Sequence, residues 1–110
     1  MHASPQQLDG IFQALADPTR RAILSRLGGG PAAVGELAQP FDMALPSFMK
    51  HITALEQSGL IRTSKSGRVR TCTIEQATFD MVDGWLDDQR RLWSQRTDRL
   101  EAFVTRDGSK

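Results

Sequence analysis

Apolar residues recur three and four positions apart along most of this chain, and in one stretch they alternate with polar ones instead. Leu8, Ile11, Phe12 and Leu15 share one face of a helix predicted over Gln6 to Ala16. Asp17-Pro18 ends it and starts the next, because an Asp side chain can accept from the free amides of a first helical turn and a Pro there lacks an N–H that had no partner anyway. The second helix turns Ile23, Leu24 and Leu27 inward, keeps Arg20, Arg21 and Arg26 at its margins, and stops at Gly28-Gly29-Gly30-Pro31. Val34, Leu37 and Ala38 give a short third helix, Val34 to Gln39, an apolar side before Pro40 halts it. In the segment Met43 to Ile61, Phe48, Ile52 and Leu55 form the inner face, while Ser47, Lys50, Thr53 and Gln57 lie on other sides of the same helix. Gly59 closes it.

The period then changes. Leu60 to Ser64 and Arg68 to Ile74 read as two strands, with Lys65-Ser66-Gly67 as the turn and Gly67 supplying a positive φ. Arg70, Cys72 and Ile74 fall on one face of the second strand, which points Cys72 toward the core. From Ala77 to Thr105 a long helix carries Val82, Trp85, Leu86, Leu92, Trp93, Leu100, Phe103 and Val104. That stripe holds more aromatic area than so small a body needs to bury, so it predicts packing against a second copy together with the first helix, through Leu8, Ile11, Phe12, Trp85, Leu86, Leu92, Trp93 and Leu100. The expected fold is mainly α with a small β-hairpin: a winged helix-turn-helix of about five helices plus a two-stranded wing, dimerising through its terminal helices. All 110 residues fit one domain, with 6–75 as body and wing and 76–105 as the C-terminal dimerisation helix.

Charge sharpens this picture more by its distribution than by its sum. The net charge is only +1, which argues against a protein that coats nucleic acid or membrane without discrimination. Yet Arg62, Lys65, Arg68 and Arg70 surround the hairpin turn with no acid among them, whereas Asp80, Asp83, Asp87 and Asp88 form an acidic run whose simplest reading is a solvated face. A polar helix beside a basic hairpin suits double-stranded DNA. Pro46, Ser47 and Lys50 lie near the start of the reading helix as candidates for base-edge or phosphate contacts, and Thr53 lies further along the same side. Met49 is placed to meet a thymine methyl, and Lys65, Arg68 and Arg70 to reach phosphates or the minor groove. His51, between the exposed face and the core, either touches a phosphate or satisfies a core hydrogen bond.

Other classes find little support. No paired carboxylates, nucleophile with a base, or phosphate-binding glycine loop can be assembled, so an enzyme is not expected, nor a cofactor. One cysteine, Cys72, with His2 and His51 scattered along the chain, cannot supply convergent metal ligands, and a lone cysteine agrees with a reducing compartment. No run of about 20 apolar residues could span a bilayer and the start MHASPQQLDG lacks a signal-peptide layout, so a cytoplasmic protein without membrane contact is expected. Two alternatives remain: a protein-interaction module on the same scaffold, favoured by apolar Leu45 and Met49, and a regulator responding to oxidation at Cys72 or to a small molecule near Trp85 and Trp93.

The segments LADPTRRAILSRL (Leu15 to Leu27), GELA (Gly35 to Ala38), PSFMKHITALEQSGLI (Pro46 to Ile61) and KSGRVRT (Lys65 to Thr71) resemble the ArsR-type (ArsR/SmtB-like) winged helix-turn-helix repressors over residues 8–75. The tail WLDDQRRLWSQRTDRLEAF resembles the C-terminal helix of a metal-independent branch. The resemblance implies a homodimeric transcriptional regulator, usually a repressor or autorepressor, on a palindromic operator, with the dimer contact on the first and last helices. Members that sense metals do so through cysteines in the third helix, where this chain has VGELA, and an acid-and-histidine pattern on the last helix finds no histidine in this tail. Members also commonly open the reading helix with Ser, Gln and Pro and carry a second Ser before Lys-His. Ala44, Leu45, Pro46 and Met49 stand here, and loss of a serine cap costs roughly 1 kcal/mol unless another group such as Asp42 replaces it.

Overall fold

The computed structural model describes residues 3–108, and side-chain surroundings as far as residue 96. In chain order the elements are α1 (Pro5–Leu15), α2 (Pro18–Leu27), β1 (Ala32–Ala33), α3 (Val34–Ala38), α4 (Leu45–Gln57), β2 (Ile61–Ser66), β3 (Val69–Ile74) and α5 (Gln76–Gly108). These are the five helices and hairpin wing of a winged helix-turn-helix. The starts of the first two helices have local causes. Ser4 and Gln7 form a reciprocal capping box on α1, with Gln7 N–H donating to Ser4 Oγ at 3.1 Å and Ser4 N–H to Gln7 Oε1 at 2.8 Å. Asp17 Oδ2 accepts from Arg20 N–H at 3.0 Å and so caps α2, with Pro18 in the first turn.

α4 ends in a Schellman motif. Leu60 N–H donates to Leu55 C=O at 3.1 Å and Gly59 N–H to Glu56 C=O at 3.0 Å, which requires the left-handed φ of +81° that Gly59 adopts. The motif also locks the next element in place. Thr78 is buried and its hydroxyl donates to Gly59 C=O at 2.5 Å, tying the first turn of α5 to the end of α4.

The sheet differs from a bare hairpin. β2 and β3 pair from Ile61↔Ile74 to Ser66↔Val69, and a third strand, β1, joins the other edge of β3 through Ala32↔Cys72 and Ala33↔Thr71, giving the antiparallel order β1-β3-β2. Two residues carry no periodicity, so β1 leaves no trace in the pattern of the chain. The register also leaves only Gly67 and Arg68 for the turn; Lys65 and Ser66 belong to β2. Positive φ at Gly67 (+63°) and at no non-glycine residue is the pattern of a II′ turn.

Ile23, Leu37, Phe48, Ile52, Leu55, Leu60, Ile61 and Cys72 form the centre of one core into which α1, α2, α3, α4 and the sheet all contribute. α5 leaves this body and, at 33 residues, extends roughly 50 Å. Among the described residues no helix is long and apolar enough to cross a membrane.

Candidate nucleic-acid interface

Three inward side chains fix how α4 presents its outer face. Phe48, Ile52 and Leu55, spaced four and three apart, are buried, and the rings of Phe41 and Phe48 pack 5.5 Å apart. The remaining positions therefore face outward. Pro46, Met49, Lys50 and Thr53 line one shallow groove with Ala54 and Gln57, and Ser47 is exposed nearby. At the N-terminus no side chain bonds to the helix as a cap on Ala44, so neither Asp42 nor any other side chain restores the cap that a serine would give. Pro46, in the first turn, removes one of the amides that would otherwise lack a partner.

The wing sets its cations beside this edge. Lys65 and Arg70 are direct cross-strand partners and so share a face of the sheet, while Arg68 occupies the turn. Lys65, Arg68 and Arg70 border a groove of about 460 Å³ whose other wall includes Val34, Leu45 and Met49. Among the described residues, Lys50, Lys65 and Arg68 have no ion-pair partner, so their charges stand uncompensated at the surface. Arg62, by contrast, is paired with Glu75 at 3.3 Å. Arg70 is held differently: its Nη1 donates to Thr63 Oγ1 at 3.3 Å, and that hydroxyl donates to Glu56 Oε2 on α4 at 2.5 Å. This relay joins wing to helix across residues seven apart in sequence at each step, a pairing invisible to helical or strand periodicity.

His51 makes an internal bond, one of the two contacts expected of it. Its Nδ1 accepts from Arg20 Nε at 3.2 Å, and Asp17 Oδ2 lies 3.6 Å from the same nitrogen. His51 thus fastens α4 to the start of α2 and is half-buried, whereas Lys50 and Thr53 are exposed. The Arg20 backbone N–H, with the nearby His51 and Arg20 side chains, holds the Asp17 carboxyl below its usual range against the opposing effect of burial.

Several side chains expected to meet a second copy lie at the surface of the protomer. Phe12 of α1 and Trp85 of α5 meet edge to face with centroids 5.8 Å apart, and each remains 39% exposed. Leu92 and Trp93 are exposed further along α5, and Leu8 and Leu86 are half-buried. Ile11 does not belong to this set. It is 1% exposed and packs in the protomer's own core, pointing at the body while Phe12, about 100° further round α1, lies at the margin. Leu100 lies outside the residues whose side chains are described. In the acidic run, Asp87 pairs with Arg90 and Arg91, and Asp88 with Arg91, as a solvated helix face does.

Cys72 is fully buried opposite Thr63, and burial, followed by the nearby Glu56, pushes its thiol up while Arg70 opposes them. α3 reads VGELA without a thiol, and Cys72 stands on the sheet, apart from His51. Among the described residues no group of three or more His, Cys, Asp or Glu converges as a ligand set.

Comparison with known proteins agrees with this geometry. The sequence profile described as a helix-turn-helix domain matches residues 15–64. The transcriptional repressor SdpR of Bacillus subtilis is 36% identical over 79 residues, covering 72% of this chain and 88% of that protein. A crystal structure of an ArsR family transcriptional regulator is 67% identical, with a TM-score of 0.81 over 86% of this chain and 97% of that one. The homodimeric winged helix-turn-helix DNA-binding domain of Mb0332 from Mycobacterium bovis, a possible ArsR-family regulator, is 25% identical with a TM-score of 0.61, covering 79% and 82%.

Proposed function

This chain belongs to the ArsR family of winged helix-turn-helix transcriptional regulators, and we propose that it acts as a homodimeric repressor of the metal-independent branch on palindromic operator DNA. The observation that carries the reading is the uncompensated charge of Lys65 and Arg68, which border a groove shared with Leu45 and Met49 of α4, and of Lys50 on the outer side of that helix, whose other face is locked in the core. α4 enters the major groove, where Ser47, Lys50 and Thr53 meet base edges and adjacent phosphates. Lys65, Arg68 and Arg70 neutralise backbone charge beside it.

Residues 6–75 serve as the reading body and 76–105 as the pairing helix. Two copies associate through the face bearing Leu8, Phe12, Trp85, Leu86 and Leu92, which brings the two α4 helices about 34 Å apart, one turn of DNA. The homodimeric relative supports this association, and SdpR, named a repressor, supports the direction of control. Selection of bound duplexes from a random pool tests the reading: enrichment of an inverted repeat with half-site centres about 10 bp apart supports it, and recovery without any enriched sequence refutes it.

A further inference from the structure

Three apolar side chains sit where a surface built for a polyanion has no obvious need of them. Leu45 is 58% exposed in the first turn of α4, and Val69 is 52% exposed at the start of β3. Met49, one turn beyond Leu45 and four residues away, is half-buried on the same helix face. All three line the groove bordered by Lys65, Arg68 and Arg70. A single exposed leucine needs no explanation, but an apolar wall gathered inside a cationic rim does.

The rim selects an anion, and Leu45 and Met49 offer it no hydrogen-bond donor. On base edges in the major groove, the one apolar group is the thymine C5-methyl; the other distinguishing features are hydrogen-bond donors and acceptors. Resting on the DNA-binding reading above, we infer that Leu45 and Met49 read thymine through apolar contact with its methyl group. Leu45 is the chief specificity-determining residue of the first turn of α4, and Val69 closes the far side of the groove. Recognition at these positions distinguishes thymine by shape and dryness, without a hydrogen bond, so a base that differs from thymine only by the methyl is discriminated against.

Deoxyuridine is that base, and it leaves the pairing and every hydrogen-bonding edge unchanged. The experiment takes the highest-affinity duplex selected by the full chain, replaces each thymine of a half-site by deoxyuridine in turn, and measures affinity for the wild-type protein and for Leu45→Ala. Removing one buried methyl should weaken wild-type binding about four-fold at one or two positions per half-site, since a buried methylene-sized group contributes on that order. Leu45→Ala, exposed in the free protein and a good helix former, should melt as the wild type does, bind somewhat more weakly, and lose the response at those positions.

A wild-type protein that binds the thymine and deoxyuridine duplexes equally at every position overturns methyl reading and leaves DNA binding intact. Leu45→Ala that retains the full wild-type response overturns the assignment to Leu45. A chain that retains a protein partner through this groove and binds no duplex at low salt overturns both the inference and the reading beneath it.

Discussion

Arg20 Nε donates to His51 Nδ1 across 3.2 Å, joining the second helix to the reading helix over 31 residues of sequence. The bond explains why His51 stands apart from Lys50 and Thr53 although all three lie on the same helix. It also places Asp17, the cap of α2, within 3.6 Å of the histidine, so the angle of α4 depends on a small polar cluster. Changes in that cluster should therefore alter stability and the setting of α4 together.

Asp17 gives this cluster a pH dependence of defined sign. Its carboxyl is held below the ordinary value of 3.8, so its contribution is present above that pH and is lost as pH falls through the folded-state value. In urea melts at pH 7, Asp17→Ala should be less stable than wild type by about 1 kcal/mol, the typical value of an N-cap, and Asp17→Asn, which still caps, should lose less. Below about pH 4 the gap between wild type and Asp17→Ala should narrow. A gap that stays constant down to pH 3 contradicts this account.

The relay from Arg70 through Thr63 to Glu56 predicts a separable effect on the wing. Thr63→Val keeps shape and strand preference but removes both hydroxyl bonds, leaving a half-buried Glu56 without its donor. Stability should fall by about 1 to 2 kcal/mol and DNA affinity by roughly three- to ten-fold, with Thr63→Ser restoring both. Equal DNA affinity for Thr63→Val and wild type, measured by fluorescence anisotropy, would show that Arg70 does not need this support.

Leu92 lies on α5 away from the Phe12–Trp85 contact and is exposed. Leu92→Glu should consequently leave the protomer folded while converting dimer to monomer in sedimentation velocity at micromolar concentration. Loss of the second reading head should weaken operator binding by about 100-fold or more. A variant that sediments as the wild type places the association face elsewhere.

Cys72 should behave as core and not as a sensor. Full burial and a raised thiol pKa predict that it reacts with a disulfide reagent only when the protein is unfolded. Rapid labelling of the native protein with one equivalent of reagent would reopen a thiol-based response.

Legibility in the sequence followed physical range. Asp17-Pro18, the Gly28-Gly29-Gly30-Pro31 stop, Gly59 and the spacing of Phe48, Ile52 and Leu55 are local signals, and each marks an element observed in the fold. The strand β1 was hidden because Ala32 and Ala33 are held by pairing with Cys72 and Thr71, about forty residues on, and not by any preference of their own. Spacing alone does not separate Ile11 from Phe12, because neighbours on a helix differ by about 100° in direction and both fall on the apolar face that spacing defines. The partners of His51 and Arg70 are side chains brought together by tertiary packing, and no motif in the chain encodes them.

The most direct test of the central claim is the salt dependence of operator affinity for wild type and for Lys65→Ala/Arg68→Ala. Each phosphate neutralised contributes about 0.9 to the slope of log affinity against log salt, so removing two wing cations from each protomer should lower its magnitude by roughly three to four, with protomer mass and fold unchanged. A double variant with the wild-type slope would contradict a grip on DNA by α4 and the wing together.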